Sequence, residues 1–331
     1  MRFLSCITKK VKDLILLFNF KVMTNTKPTV TIFGLGKMGA QIARRLYKNK
    51  FKVLAWNRGG DKIIEIKKSK IFGTTNLEEA MVKSRAEKSV YWIMLPHDTV
   101  DEFIFGENGI GKYLKKGDIV IDGGNSFYKD TIERGKKLAK RGIFYFDSGT
   151  SGGVWGEKNG FALMVGGPKA KWKTVEPIFK TLSSGDNYAY LGRSGAGHFT
   201  KMVHNGIEYG MMEAIGEGYA VLEASPFKLN LKDVTRVYQQ GSVVRSWLID
   251  LCRNIFETEN IKKTNGFINA TGEGAWTVNA GKEFGVDVRV IEDALNVRKE
   301  SSDPKNQDKF SNKIVSLLRK QFGGHGVTKN K

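Results

Sequence analysis

Short apolar runs alternate with amphipathic segments over the first two thirds of the chain. Runs rich in Val, Ile, Phe and Trp predict buried strands, and apolar residues spaced three or four apart predict helices. The predicted strands cover residues 29–33, 52–56, 89–95, 119–122, 143–147 and 161–165, and the predicted helices cover residues 37–48, 61–68 and 131–141. This alternation predicts an α/β fold with a mostly parallel, doubly wound sheet, on which ligands bind at the carboxyl ends of the strands.

After residue 197 the pattern changes to helices alone. The predicted helices cover residues 198–223, 231–240, 242–255, 275–284, 288–297 and 309–321. The first of them stops at Ser225-Pro226, because the residue before a proline disfavours the helical conformation. We therefore predict an α/β domain over residues 28–196 and an all-α domain over residues 197–331.

Residues 1–27 differ from the rest of the chain. Several lysines precede a short apolar run at residues 14–18, which is far below the ~20 residues that span a bilayer. No small-residue cleavage site follows, which disfavours a secretory signal. A transit-like segment and a translation start placed too early, ahead of Met23, both remain open. We predict that this extension is not part of the fold.

The amino-acid composition of the chain limits which kinds of molecule it is expected to bind. The 331 residues carry a net charge of +20 and two cysteines, Cys6 and Cys252, without metal-ligand spacing. Few cysteines favour a reduced, cytoplasmic setting. The charge could attract nucleic acid, but the lysines are scattered instead of interleaved with aromatic residues in one segment. We predict anionic small-molecule ligands and no nucleic-acid, membrane or metal partner.

A glycine-rich loop joins the first predicted strand to the first predicted helix. It consists of Gly34, Leu35, Gly36, Lys37, Met38 and Gly39. In the pattern G-x-G-x-x-G the first glycine makes a tight turn, the second lets the backbone approach a pyrophosphate, and the third permits close helix–strand packing. The loop predicts a Rossmann-type dinucleotide site, to which we also assign Leu95 and Asn125, near the ends of later strands.

Asn57 and Arg58 follow the second predicted strand, where an acid usually binds the ribose 2′-hydroxyl of NAD. An arginine there can pair with a 2′-phosphate, and no carboxylate repels it. A surface arginine in a loop is the alternative, since Gly59 and Gly60 follow. We predict NADP or NAD as the cofactor, with a slight preference for NADP.

Four polar residues fall on one face of the long predicted helix. At 100° per residue, this face holds Lys201, His204, Asn205 and Glu208. Exposed i, i+4 pairs are the alternative explanation, but apolar residues flank the stripe and favour an enclosed site. A lysine in a partly desolvated cleft can lose its proton near neutral pH and act as a base.

Two further loops follow predicted strands. The sequence DGGNS at residues 122–126 includes Asn125, at an edge where ligands bind. The sequence TSGGVWG offers the Ser151 hydroxyl and the backbone N–H groups of Gly152 and Gly153, which suit a carboxylate. A purely structural turn is the alternative for each loop.

Taken together, GLGKMG, DGGNS, TSGGVWG and GHFTKMVHNGIEY resemble the 6-phosphogluconate dehydrogenase family, and TSGGVWG with GEGAWT resembles its short-chain form. The resemblance covers about residues 29–325. The related β-hydroxyacid dehydrogenases share the first motif, the Ser-Gly-Gly loop and a lysine, but lack the DGGNS and HNGIEY stretches. The resemblance implies oxidative decarboxylation of 6-phosphogluconate to ribulose 5-phosphate and CO2, a step of the pentose phosphate pathway and of gluconate utilization.

The resemblance also implies a role for each matching residue. Lys201 would take the proton of the 3-hydroxyl and, once protonated, polarise the ketone as CO2 is lost. Glu208 would then protonate C1 of the enediol. The carboxylate would be held by Ser151, Gly152 and Gly153. The other implied substrate contacts are Asn125, Asn205, His204, Tyr209, Arg298, Arg319 and His325, with tyrosine and arginine on the phosphate.

The match is incomplete in one loop. Thr271 and Glu273 stand where long-chain members carry a lysine and a threonine, and Ala275 stands where short-chain members usually have arginine. In the family, the tail that bears Arg319 and His325 completes a neighbouring subunit's site. The resemblance therefore implies a homodimer or homotetramer formed through the helical domain.

Two alternatives remain open. Another β-hydroxyacid dehydrogenase, acting on a small unphosphorylated 3-hydroxy acid, would leave Arg298 and Arg319 without an evident partner. A basic protein that binds nucleotides or nucleic acid without catalysis would not need the stripe of Lys201, Asn205 and Glu208.

Overall fold

The structure is a computed structural model that describes residues 27–86, 88–269 and 272–327. Its first part is built on one eight-stranded sheet. The strands are β1 (Thr29–Phe33), β2 (Val53–Trp56), β3 (Phe72–Thr74), β4 (Ser89–Ile93), β5 (Ile119–Asp122), β6 (Phe144–Ser151), β7 (Phe161–Gly166) and β8 (Ser183–Gly192). The extension predicted at residues 1–27 lies almost entirely outside the described residues.

The strand order is β3-β2-β1-β4-β5-β6-β7-β8. Neighbouring strands are parallel except β6 and β7, which are antiparallel. The chain moves outward from β1 to β3 and then crosses back to β4, so β1 and β4 form the switch point where ligands bind in such sheets. The predicted doubly wound α/β fold is confirmed.

Helices cover both faces of this sheet. They are α1 (Gly39–Lys48), α2 (Gly60–Lys67), α3 (Leu77–Lys83), α4 (Val100–Phe105), α5 (Tyr128–Ala139), α6 (Gly156–Asn159) and α7 (Trp172–Leu182). Successive residues of a strand point to opposite faces. Accordingly, Ile32 packs in one buried cluster with Leu46, whereas Phe33 packs in another with Ile104.

The second part of the chain is helical, as predicted. Its helices are α8 (Ala196–Ala224), α9 (Leu231–Gln239), α10 (Trp247–Thr258), α11 (Glu273–Phe284), α12 (Arg289–Glu300) and α13 (Phe310–Gly323). Met212, Cys252 and Leu317 belong to the core between α8, α10 and α13. Since α8 also packs against β6 and β7, it connects the sheet to the helical part.

Several element bounds differ from those predicted. Strand β6 extends to Ser151 instead of residue 147, so the Ser-Gly-Gly turn begins within the sheet. Helix α10 begins at Trp247 instead of residue 242, because the Ser246 hydroxyl accepts the Ile249 backbone N–H and starts the helix there. Strand β8 was not predicted, because its sequence, SSGDNYAYLG, is mostly polar and mostly exposed.

A buried carboxylate joins the two parts. Asp147, on β6, accepts hydrogen bonds from the backbone N–H groups of Gly195 (2.8 Å) and His198 (2.9 Å), at the first turn of α8. The bonds fix where α8 leaves the sheet, since the first N–H groups of a helix have no partner within it. The sheet ends at Gly192 and α8 begins at Ala196; the partition into domains at residues 196 and 197 remains our proposal.

Helix α8 is long, with 29 residues. Even so, across residues 27–327, leaving aside the undescribed positions 87, 270 and 271, no helix combines the length and apolar character needed to cross a bilayer.

Candidate active site

The glycine-rich loop is tightly packed on one side and open on the other. Gly34 has a φ of +97°, and a Cβ built on it would lie 2.5 Å from the Met94 carbonyl oxygen. A Cβ on Gly39 would lie 2.0 Å from the Gly34 carbonyl oxygen, which is the close packing expected of the third glycine. A Cβ on Gly36 would meet no atom within 4 Å. Backbone at Gly36 is therefore accessible to a ligand, and the loop fits a dinucleotide pyrophosphate.

The structure places the other predicted dinucleotide residues beside this loop. The side-chain oxygen of Asn57 accepts the Leu35 backbone N–H at 2.9 Å, so Asn57 braces the loop. The Leu95 side chain comes within 2.9 Å of where a Gly34 Cβ would be. Arg58 is exposed at the end of β2, and its side chain makes no ion pair or hydrogen bond with any described residue.

The predicted stripe on α8 is one hydrogen-bonded group. The Lys201 amine donates to the Asn205 side-chain oxygen at 2.7 Å and lies 3.2 Å from Nδ1 of His204. Nε2 of His204 lies 3.4 Å from the Ser151 hydroxyl, and Nδ1 lies 3.8 Å from a Glu208 carboxylate oxygen. The stripe thus faces the Ser-Gly-Gly turn of β6 and not bulk solvent.

Burial dominates the electrostatics of this group. Lys201 is only 6% exposed, and burial lowers its pKa from 10.5, opposed by the charges of Glu208 and Glu273. Burial raises the pKa of Glu208, opposed by Lys201 and two arginines. Burial and the Lys201 charge lower the pKa of His204 to about 4, so His204 is neutral at physiological pH. Such shifts suit an amine that gives up a proton and a carboxyl group that carries one.

Asn125 holds two loops together. It has a φ of +55°, and its side-chain oxygen accepts the Thr150 backbone N–H at 2.9 Å while its amide donates to the Thr150 carbonyl. The buried Asp122 carboxylate anchors the same loop by accepting the Ser126 hydroxyl at 2.8 Å and the Tyr145 hydroxyl at 2.9 Å. The residues DGGNS therefore brace the Ser-Gly-Gly turn. Asn125 also borders a cavity between this turn and the stripe on α8.

The Ser-Gly-Gly turn contacts the end of the chain. Gly152 and Gly153 have φ values of +127° and +53°, and a Cβ on Gly153 would lie 2.0 Å from the Phe322 carbonyl oxygen. The Lys37 amine donates to the carbonyl groups of Gly323 and Gly324. The end of α13 is thereby held against the turn and the glycine-rich loop.

Both predicted arginines are buried beside the same cavity. The Arg298 guanidinium carbon lies 3.2 Å from the centre of the Tyr209 ring. Arg319 donates to the carbonyl of Asn269. Burial, with the nearby Arg319 charge, lowers the pKa of His325 to about 4.

These residues line one cavity of about 530 Å³. The predicted residues that line it are Lys37, Met38, Asn125, Ser151, Gly152, Gly153, Lys201, His204, Asn205, Glu208, Tyr209, Arg298, Arg319 and His325. The remaining dinucleotide residues lie at the ends of β1, β2 and β4 and do not line it. The resemblance implied that a neighbouring subunit's tail would complete the site. In this structure the chain's own Arg319 and His325 reach its own cavity, because α13 packs along α8.

Sequence reasoning missed two acidic residues near the site. Asp147 orients α8, and Glu213 lies against Arg298. Glu213 follows Tyr209 by four residues, so helical spacing could have placed it beside the same partner. In the loop that departs from the family, Glu273 lines the cavity, and Thr271 lies outside the described residues.

Known protein families match both parts of the chain. Residues 29–192 match the NAD binding domain of 6-phosphogluconate dehydrogenase, and residues 197–328 match the 6-phosphogluconate dehydrogenase C-terminal domain. The Bacillus subtilis protein YqeC, provisionally named a 6-phosphogluconate dehydrogenase, is 39% identical over 91% of this chain and 99% of its own length. An NAD(+)-dependent, decarboxylating 6-phosphogluconate dehydrogenase of Haloferax volcanii is 32% identical over 90% of this chain and 98% of its own length.

Solved structures agree in fold. The 6-phosphogluconate dehydrogenase of Plasmodium falciparum, studied with NADP+ and with 6-phosphogluconate, superimposes with a TM-score of 0.74 at 29% identity. That match covers 82% of this chain and 62% of the Plasmodium chain. A Mycobacterium tuberculosis 3-hydroxyisobutyrate dehydrogenase superimposes with a TM-score of 0.69 at 21% identity, over 88% of this chain and 99% of its own length. The second likeness concerns the fold alone.

Proposed function

The chain belongs to the 6-phosphogluconate dehydrogenase family, and from this premise we propose that it oxidises and decarboxylates 6-phosphogluconate to ribulose 5-phosphate and CO2. One observation supports this most strongly. A buried amine, the partly buried carboxyl group of Glu208 and two buried arginines line the same cavity, next to the glycine-rich loop. A phosphorylated sugar acid needs all four groups, whereas a small unphosphorylated acid does not need the arginines.

We assign the proton transfers to the stripe on α8. When bound, the nicotinamide dinucleotide supplies the acceptor for the hydride that leaves C3. Lys201, whose pKa is lowered by burial, takes the proton of the 3-hydroxyl group. The resulting ammonium donates to the C3 ketone oxygen and stabilises the negative charge that forms there as CO2 leaves. Glu208, whose pKa is raised, carries the proton that is delivered to C1 of the resulting enediol, which was C2 of the substrate.

The remaining groups orient the substrate. The Ser151 hydroxyl and the backbone of Gly152 and Gly153 lie opposite His204, where they would hold the carboxylate. Arg298 and Arg319, which border the same cavity, would pair with the phosphate, because a guanidinium group matches two phosphate oxygens at once. Tyr209 and His325 also border the cavity, and Asn205 would orient the hydroxyl beside Lys201.

We further propose NADP as the preferred cofactor. Arg58 is exposed at the end of β2, with no described side chain competing for it. Loss of this arginine should weaken NADP binding through its 2′-phosphate while leaving NAD, which lacks that phosphate, nearly unaffected. The residues that would hold either cofactor are the glycine-rich loop, Asn57 and Leu95.

Initial rates with 6-phosphogluconate, measured separately with NADP and NAD, test both proposals. Wild-type enzyme should reduce the cofactor and release one CO2 per turnover. The variant R58A should lose about 10- to 100-fold in kcat/KM with NADP, corresponding to one charged pair, and less than about threefold with NAD. Equal losses with both cofactors would remove the basis for the NADP preference.

A β-hydroxyacid dehydrogenase with a small unphosphorylated substrate is the second candidate, because the fold also resembles 3-hydroxyisobutyrate dehydrogenase. The buried Arg298 and Arg319 count against it. Rates with 3-hydroxyisobutyrate and with gluconate, beside 6-phosphogluconate, separate the two candidates. Faster turnover of either unphosphorylated acid would favour the second one.

We propose a homodimer or homotetramer. Ile207 and Met211, which flank the stripe and line the cavity, are 54% and 42% exposed, and Val221 continues the same apolar face of α8. An exposed apolar face of this kind is typical of a protein interface. Light scattering coupled to gel filtration should show a mass at least twice the 37.0 kDa of one chain. A cytoplasmic location remains a prediction from cysteine content.

A further inference from the structure

Glu213 is a buried acid with no part in the proton transfers assigned above. It lies on α8, one turn after Tyr209, and is 5% exposed. One carboxylate oxygen lies 3.5 Å from Nε of Arg298, whose side chain is fully buried. Because the Arg298 guanidinium also lies against the Tyr209 ring, α8 holds it between a carboxylate and an aromatic face.

The contact between Glu213 and Arg298 leaves both groups incompletely satisfied. None of the three Arg298 nitrogens and neither Glu213 oxygen has a hydrogen-bond partner among the described residues. Buried charged groups are normally hydrogen-bonded, and leaving them unsatisfied is costly. Since Arg298 borders the cavity, its free donors point to an acidic ligand.

The charged groups around Glu213 and Arg298 determine which ligand would best neutralise them. The charged groups that act on Glu213 are Arg298 from α12, Arg319 from α13 and Glu217 from α8 itself. At the cavity, Arg298 and Arg319 face Glu208 and Glu273, and Glu213 lies against Arg298. A phosphate dianion would balance both arginines, and an ionised Glu213 would then add an excess negative charge next to it.

We propose that Glu213 is a positioning residue that holds Arg298 when no phosphoryl group is bound and takes up one proton when the phosphoryl group of the substrate binds. The proposal rests on the proposed function, because the phosphorylated sugar acid is the ligand. The only species transferred is a proton, from solvent to the Glu213 carboxylate. Burial raises the pKa of Glu213 to about 7, so this exchange takes place in the neutral range.

Steady-state kinetics of the full-length enzyme between pH 6 and 8 test the proposal. The variants are E213Q, which keeps the shape and an acceptor for Arg298 but cannot ionise, and E217Q as the control one turn further along α8. The ratio of the wild-type KM for 6-phosphogluconate to that of E213Q should rise about tenfold from pH 6 to pH 8, with kcat little changed. Ionisation of the substrate phosphate near pH 6 is common to both enzymes and cancels in the ratio. E217Q, which leaves Glu213 able to ionise, should keep the pH dependence of the wild type.

Calorimetry provides a second measurement on wild-type enzyme alone. In buffers of different ionisation enthalpy at pH 8, 6-phosphogluconate should bind with about one more proton taken up than gluconate, which meets Lys201 and Glu208 but lacks the phosphate. Equal proton uptake for the two ligands, or a KM ratio that does not change with pH, would overturn the role of Glu213. Absence of any turnover of 6-phosphogluconate by the wild type would instead overturn the proposed function.

Discussion

Replacing Lys201 with methionine separates its role as a base from its role in the fold. The Lys201 side chain is buried, and its amine donates to the Asn205 side-chain oxygen at 2.7 Å. Methionine has nearly the same length and shape but neither donates nor accepts a proton. The backbone of α8 and the cavity wall should therefore be preserved.

The contacts of Lys201 set the expected size of two effects of this substitution, one on the free energy of unfolding and one on kcat. Losing the hydrogen bond to Asn205 costs about 1–3 kcal/mol, whereas removing a buried amine relieves a desolvation cost of similar size. The free energy of unfolding should change by no more than about 1 kcal/mol, or about 2–4 °C in Tm. Loss of a general base lowers kcat by about 10²- to 10⁴-fold, which is about 3–5 kcal/mol in activation free energy.

The pH dependence has a definite sign. The pKa of Lys201 is lowered from 10.5 by burial, so the neutral amine becomes available as pH rises, and wild-type kcat/KM should rise with pH on its acidic limb. The unfolded chain binds more protons than the folded chain between the folded pKa and 10.5. The contribution of Lys201 to stability therefore increases with pH over that interval. Both trends should disappear in K201M.

The assays are initial rates with 6-phosphogluconate, dinucleotide binding by fluorescence titration, and thermal unfolding. Lys313 is a matched control: it is 7% exposed, but its amine pairs with Asp308 at 3.0 Å on α13 and does not border the cavity. K313M should lower Tm and leave kcat nearly unchanged. If K201M kept kcat within about tenfold of wild type, or lost dinucleotide affinity in parallel, Lys201 would not be the base.

Two further substitutions test the loop and the orientation of α8. G36A should leave Tm unchanged, because its Cβ meets no protein atom, yet weaken dinucleotide binding at least about tenfold, since a methyl group would meet the pyrophosphate. G39A, whose Cβ would lie 2.0 Å from a carbonyl oxygen, should lower Tm in thermal unfolding. Equal behaviour of the two variants would contradict this assignment. D147N should lower the free energy of unfolding, measured by urea denaturation, by about 2–4 kcal/mol, because an amide carries no negative charge and cannot accept both the Gly195 and the His198 N–H groups as the two carboxylate oxygens do. A loss below about 0.5 kcal/mol would show that these two bonds do not hold α8.

Local pattern was enough to predict much of the fold. The bounds of β1 and β5 agree with the apolar runs, because a buried parallel strand is apolar along its whole length. Helical spacing also predicted that Lys201, Asn205 and Glu208 would share one face, since that relation depends only on the period of the helix. The glycines of the first loop were identified because their backbone geometry requires the residue type itself.

Other features depended on contacts between distant parts of the chain. Helical spacing places Glu213 on the same face as Tyr209, but its pairing with Arg298 forms only when α12 packs against α8. Strand β8 pairs at the sheet edge despite a polar sequence, since its backbone hydrogen bonds to β7 do not require an apolar face. The position of Arg319 in the chain's own cavity was likewise decided by packing of α13 along α8.

The sequence by itself thus determined the alternation of strands and helices, the dinucleotide loop and the polar stripe, because each is encoded by residues that are close together in the sequence. Only the tertiary structure decided which arginines meet which acids and how deeply Lys201 is buried. These contacts depend on how whole helices and strands pack together. Packing brings together residues that are far apart in the sequence, such as Glu213 and Arg298, which are about 85 positions apart.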